Sequence, residues 1–144
     1  DETACFFGGV QGNAGLFSNA NDLAKLCQMW LNKGTYGNER ILSPKTVELV
    51  LTEKSSTSRR GLGFDKPDME NPEKSPTAIE ASASTIGHLG FTGTCFWIDP
   101  EQELIYIFLC NRVYPSRTHD ALSQLNIRPE LFSTIYRSIK NHSK

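Results

Sequence analysis

The residues best able to do chemistry stand together in Gly87-His88-Leu89-Gly90-Phe91-Thr92-Gly93-Thr94, which runs directly into Cys95-Phe96-Trp97-Ile98-Asp99-Pro100. Glycine has no Cβ, so it lets a backbone approach another group closely, yet inside a strand it weakens pairing. Three glycines around one histidine therefore need a reason. One is a ligand or a second backbone lying along that edge, with His88 donating, accepting or carrying charge near neutral pH. The other is chain geometry: a bulge or tight turn with a solvated histidine, the commoner use of glycines ahead of a strand. Residue chemistry leaves both open.

Several elements must hold this stretch in place. Ser18-Asn19-Ala20-Asn21-Asp22 supplies N-cap candidates, and Leu23, Leu26, Cys27, Trp30 and Leu31 form one apolar stripe, so a helix is predicted over 20–33, stopped by Gly34. Ser43-Pro44 starts a second helix carrying Val47, Val50 and Leu51. Tyr36-Gly37-Asn38 reads as an ordinary turn. Thr94–Ile98 and Leu104–Cys110 are the two best strands, joined by the Asp99-Pro100-Glu101-Gln102 turn into an antiparallel hairpin. The second strand is apolar on both faces, with Leu104, Tyr106 and Phe108 on one and Ile105, Ile107 and Leu109 on the other, so its sheet must be covered on both sides. A helix opened by Pro129, with the stripe Leu131, Phe132, Ile135, Tyr136 and Ile139, can cover one face, and the stripe ending at Leu31 is the only strong candidate for the other.

The rest of the chain is predicted to be irregular. Residues 1–15 read as a glycine-rich loop, Gly61-Leu62-Gly63-Phe64 as a short strand, and Asp120–Leu125 as a helical turn. Residues 65–85, with Pro67, Pro72 and Pro76, read as a lid over a site or a poorly ordered excursion.

Composition narrows the classes of function. The chain has 144 residues, one domain of ordinary size, able to bury roughly 70% of its unfolded surface. A net charge of −1 gives no nucleic-acid footprint, and no apolar run approaches the roughly 18 residues of a membrane span. Cys5, Cys27, Cys95 and Cys110 have neither bridge nor zinc spacing and read as buried free thiols; no metal and no cofactor is expected.

The central stretch resembles the third motif of the serine β-lactamase and penicillin-binding-protein superfamily, in its esterase-like and peptidase-like branch, where Lys-Thr-Gly becomes His-x-Gly, here His88-Leu89-Gly90. Gly90-Phe91-Thr92-Gly93-Thr94, Trp97-Ile98-Asp99-Pro100-Glu101 and the run from Phe108 to Pro115 are similar to the same family, as is Gly12-Asn13-Ala14-Gly15-Leu16-Phe17-Ser18 followed by Asn21-Asp22-Leu23-Ala24. The segments from Asn111 to Arg117 and from Leu125 to Arg128 are similar to modules fused to bacterial β-N-acetylhexosaminidases, which implies a substrate derived from the cell wall.

The resemblance implies an α/β fold of the α+β sandwich type, an antiparallel sheet with helices on both faces. It also implies that residues 1–144 are the C-terminal portion of one serine-hydrolase domain, residues 1–60 helical and 61–144 the hairpin and terminal helix, with N-terminal elements lying on preceding polypeptide. In that family a Ser-x-x-Lys serine attacks an acyl carbon, and no lysine here has a serine three positions before it. This chain alone is therefore expected to be inactive, either as part of a hydrolase of an ester, amide or peptide or as part of a silent ligand-binding domain.

By the same resemblance, His88 and the Phe91 backbone N–H would be the catalytic groups, the latter as an oxyanion donor, while Gly90, Leu89 and Thr92 would line the substrate. Leu89 stands where threonine is frequent, which disfavours true β-lactamase activity. The implied partners are a small-molecule or peptide-like substrate, the missing N-terminal part of the same polypeptide, and a second copy paired through an open sheet edge; the implied location is the periplasm or cell envelope.

Overall fold

The computed structural model describes residues 2–142. Its elements are α1 (Glu2–Phe6), α2 (Ala20–Leu31), β1 (Thr35–Tyr36), β2 (Glu39–Arg40), α3 (Pro44–Thr52), a single 3-10 turn (Pro72–Lys74), β3 (Ile86–Leu89), β4 (Cys95–Asp99), β5 (Leu104–Phe108), α4 (Ala121–Gln124) and α5 (Ile127–His142). Strands β3, β4 and β5 form an antiparallel sheet in chain order, with His88 opposite Phe96 and Trp97 opposite Tyr106.

Alternation along these strands sorts the core into two layers. Cys95, Trp97 and Tyr106 face α5, where they meet Phe132 and Tyr136, and Leu89, Leu104 and Phe108 pack onto the same cluster. Phe132 stacks on Tyr106 with ring centroids 4.5 Å apart. On the other face Ile86 and Ile98 meet Cys27 of α2, joined by Trp30, Leu31, Val50, Leu51, Phe64, Phe96, Ile105 and Ile107. The two-sided apolar pattern of β5 thus has its expected consequence, and α2 with α3 supplies the second cover.

Local chemistry sets the helix ends. Asn19 caps α2 by accepting from the Asp22 N–H at 3.1 Å; the helix ends at Leu31, two residues before the expected stop, with Asn32 as its C-cap and Lys33 and Gly34 following at φ +53° and +94°. The Ser43 hydroxyl accepts from the Thr46 N–H at 3.1 Å, and Pro44 occupies the first turn of α3. Tyr36-Gly37-Asn38 lies in the tight β1–β2 hairpin, as the turn reading requires.

Four expectations need correction. The N-terminal loop contains α1, a helix too short to show periodicity. Gly61–Phe64 forms no strand; pairing there is a single bridge between Asp65 and Gly87. The 65–85 segment is neither lid nor excursion, because Asp65, Lys66, Ser75, Thr77 and Thr85 are buried and Ala78 and Ala81 belong to the α5-side core. Small residues let this irregular chain pack flat, and their low hydrophobicity hid that from the sequence. All four cysteines are free, and Cys27 and Cys95 are buried with thiols pushed up by burial to about 11 and about 12, but Cys5 is exposed.

Asp99 ties the β4–β5 turn to α5. It is fully buried and accepts from the Tyr136 hydroxyl at 2.5 Å, the Ser82 hydroxyl at 2.7 Å and N–H at 3.1 Å, and the Glu101 and Gln102 N–H groups at 3.0 and 3.3 Å. Burial by itself raises this carboxyl, but the hydrogen bonds from Tyr136 and Ser82 outweigh it, so the net shift is downward. A carboxylate held below its unfolded value, about 3.9, adds stability above that value and loses it as pH falls through the folded one. Urea titrations are therefore expected to show stability declining as pH falls below about 4, with Asp99→Asn flattening that decline. Tyr136→Phe should cost about 1–3 kcal/mol at neutral pH, since it leaves a buried acceptor short of a donor.

Candidate functional site

The glycines ahead of β4 answer first to the chain's own packing. A Cβ at Gly87 would lie 2.2 Å from the Phe96 carbonyl oxygen and 2.4 Å from the Trp97 ring. One at Gly90 would meet the Thr94 hydroxyl at 2.3 Å, and Gly93 sits at φ +99° with Cys110 Sγ at 2.7 Å from its Cβ position. The chain reverses tightly here: the Gly93 N–H donates to the Gly90 carbonyl at 3.0 Å and the Gly90 N–H to the Thr94 carbonyl at 2.7 Å. Chain geometry is therefore a sufficient reason for all three glycines.

The open question is which groups that geometry leaves facing outward. Gly87 exchanges both backbone hydrogen bonds with Asp65, at 2.8 and 3.1 Å. Its main-chain groups thus point away from β4, and by antiparallel alternation those of Leu89 do too. The next inward group is the Gly90 N–H. Phe91 follows at the tip of the turn, 40% exposed, and its N–H has no acceptor among the described residues. A recess of about 350 Å³ lies beside it, lined by Glu2, Cys5, Phe91, Val113 and Arg117.

Arg112 holds this turn. Its Nε donates to the Phe91 carbonyl at 2.9 Å, and its Nη1 donates to the Arg117 and His119 carbonyls at 3.3 and 3.0 Å. The guanidinium carbons of Arg112 and Arg117 lie 5.1 and 5.4 Å from the Phe91 ring centroid, within cation–π range. Arg117 in turn pairs with Glu2, which brings α1 to the recess. The sequence singled out neither arginine, because their roles depend on a loop folding back twenty residues downstream.

His88 is exposed and points to the side of the sheet that α2 covers. Its Nδ1 lies 2.7 Å from the Leu89 carbonyl oxygen, and its Nε2 lies 2.8 Å from Arg60 Nη1. A carbonyl can only accept and a guanidinium can only donate. These partners suit the tautomer in which Nδ1 donates to the Leu89 carbonyl and Nε2 accepts from Arg60. Leu89 does not offer its side chain to the edge: alternation turns it into the α5-side core, which leaves only its main chain available there. Thr92 is half-buried, its carbonyl accepting from the Arg112 N–H at 2.9 Å. The structure thus brings His88, Gly90 and Phe91 together along one edge and separates the side chain of Leu89 from them. No group of three or more metal-ligating side chains occurs among the described residues, and no described helix is long and apolar enough to cross a membrane.

The site thus stands on an antiparallel sheet with helices on both faces, at a histidine-bearing edge strand paired to Asp65 at Gly87. The Beta-lactamase family model matches residues 2–128, and the chain belongs to that family. It is 37% identical over 134 residues to proteins of Salmonella paratyphi B and Salmonella newport named "Putative D-alanyl-D-alanine carboxypeptidase", covering 92% of this chain and 29% of each relative. The chain thus spans under a third of the curated relatives it matches. The crystal structure of a beta-lactamase from Mycobacterium bovis superposes with a TM-score of 0.54 at 20% identity, over 74% of this chain and 44% of that one, a likeness of fold.

The glycine packing makes a direct prediction. Gly87→Ala forces its Cβ into the Phe96 carbonyl and the Trp97 ring, both held in the core, and should destabilise the chain by about 1–3 kcal/mol in chemical denaturation. The fixed position of the Trp97 ring should also be lost from near-UV circular dichroism.

Proposed function

We propose that this chain supplies the His-x-Gly edge of an acyl-serine hydrolase that acts on an ester, amide or peptide, the nucleophilic serine standing on another part of the same polypeptide. The observation that carries this reading is the Phe91 N–H, unpartnered at a turn tip beside an open recess, in a chain of the Beta-lactamase family. In this mechanism the serine oxygen attacks the acyl carbon and gives up its proton to a base on that other part. The carbonyl oxygen becomes an oxyanion, and the intermediate collapses by expelling the leaving group. Water then attacks the acyl-enzyme, releasing the acid and restoring the serine.

Within that scheme this chain contributes position and electrostatics. The Phe91 N–H donates to the oxyanion, a kind of contact worth about 10²–10³ in rate. The turn that presents it is fixed by the Gly90 and Gly93 hydrogen bonds and by Arg112, so little reorganisation is needed when charge develops. The outward main chain of Leu89 gives an extended substrate a surface to pair with. The carboxypeptidase name borne by the Salmonella relatives favours peptide-like substrates. With Nε2 already accepting from Arg60, His88 has no free lone pair to act as a general base in this arrangement.

Two measurements test the reading. The isolated chain should not turn over p-nitrophenyl acetate or nitrocefin above background, whereas the longer polypeptide should hydrolyse at least one of them with an active-site serine that can be labelled; labelled turnover by the isolated chain would contradict it. In the longer polypeptide, Phe91→Pro removes the N–H at a turn position that proline tolerates and should lower kcat about 10²–10³-fold. Phe91→Ala keeps the donor and should stay within about tenfold of the native rate. Ligand binding by the longer polypeptide with no labelled serine would instead assign a catalytically silent binding domain.

A further inference from the structure

A second recess is built by other parts of the chain. It has a volume of about 330 Å³ and lies between the Pro72–Lys74 turn, with the segment that follows it, and the first turns of α5. None of its lining residues belongs to β3 or to the turn at Phe91. Its size suits a small ring compound.

The floor of this recess is buried and bears hydroxyl groups. Thr77 is 1% exposed, and its Oγ1 has no hydrogen-bond partner among the described residues. Ser75 is also buried. Its Oγ accepts from the Asp68 N–H at 3.2 Å and from the Thr77 N–H at 3.5 Å, and no acceptor for its own proton is found among the described residues. A hydroxyl taken out of water without an acceptor is costly, so these two call for an oxygen placed in the recess.

The rim has the opposite need. Glu73 and Glu130 are exposed there, and neither carboxylate has a cationic partner among the described residues. Arg137, the cation of the lining, is matched by Glu80, its Nε donating to Oε1 at 2.9 Å. Lys74 does not line the recess. The recess therefore keeps an excess of negative charge at its mouth and of hydroxyl donors at its floor. Pro72 and Pro129 supply apolar walls between the two.

We propose that this recess binds a small protonated amine that carries several hydroxyl groups, an amino alcohol or amino sugar. The ammonium group meets Glu73 and Glu130, a ligand hydroxyl oxygen accepts from Ser75 and Thr77, and the carbon skeleton lies against the two prolines. The site is independent of the hydrolase reading and requires no turnover.

The test is a proton–nitrogen NMR titration of the chain with glucosamine at pH about 6, where the amine is protonated and the carboxylates are ionised. Saturable shifts are expected at the backbone signals of Ser75, Thr77, Glu130 and Ser133. N-acetylglucosamine keeps the hydroxyls without the charge, and methylammonium keeps the charge without the hydroxyls. Each should bind about tenfold more weakly or worse. Glu130→Gln changes an exposed side chain, and Thr77→Val keeps the side-chain shape while removing the hydroxyl. Each should weaken glucosamine binding about tenfold with native far-UV circular dichroism. If Thr77→Val does not fold, Glu130→Gln decides alone. No saturable shift, equal binding of glucosamine and N-acetylglucosamine, or native affinity in either folded variant would overturn the proposal.

Discussion

The reciprocal backbone pairing of Asp65 with Gly87 is the constraint on which the site depends. It is a single bridge, and beside the β3–β4 ladder it satisfies the main-chain groups that Gly87 turns away from β4. With Gly87 committed outward, Leu89 is outward as well, and the turn after Gly90 carries the Phe91 N–H to an open position. The same residue does a second job through its side chain. Buried almost completely, the Asp65 carboxylate must be paired, and the arginine that pairs it brings its neighbour Arg60 onto His88. One residue thus satisfies the outward main chain of Gly87 and holds the arginines beside it.

Around that bridge the remainder is a problem of covering a thin sheet. A sheet whose central and last strands, β4 and β5, are apolar on both faces is stable only if each face is closed, and α5 and α2 close them with separate aromatic clusters. The outer edge of β5 has no strand partner among the described residues. Asp99 keeps α5 in register with the hairpin, so the α5-side layer and the site strand cannot shift independently. The rigidity of the turn at Phe91 follows: Trp97 fills the space over Gly87, Thr94 the space over Gly90, and Arg112 fastens the tip from the far side.

Much of this was legible in the sequence, and the reasons separate cleanly. Periodicity revealed α2, α3, α5 and the β4–β5 hairpin because each carries a long apolar stripe or alternation with a cap or turn at its end. The wording around His88, with the similar segments before and after it, resembled the family that the family model matches over residues 2–128. Two things were hidden. The 65–85 segment packs by small and polar residues, whose burial leaves no hydrophobic signal. Arg60 and Arg112 lie twenty or more residues from His88 and Phe91, and only the fold brings them together. The sequence also weighed the glycines toward ligand approach or chain geometry without deciding; Trp97, Thr94 and Cys110 fill the space at each Cβ position.

The central claim is that the Phe91 N–H is a donor aimed at a developing oxyanion. The direct measurement is a crystal structure of the longer polypeptide with a boronic acid transition-state analogue on its nucleophile. The account predicts a boronate oxygen about 2.7–3.1 Å from the Phe91 nitrogen, with the analogue extended along the outer side of Leu89. A boronate oxygen bound elsewhere, with the Phe91 N–H turned to solvent or to another protein group, would contradict it.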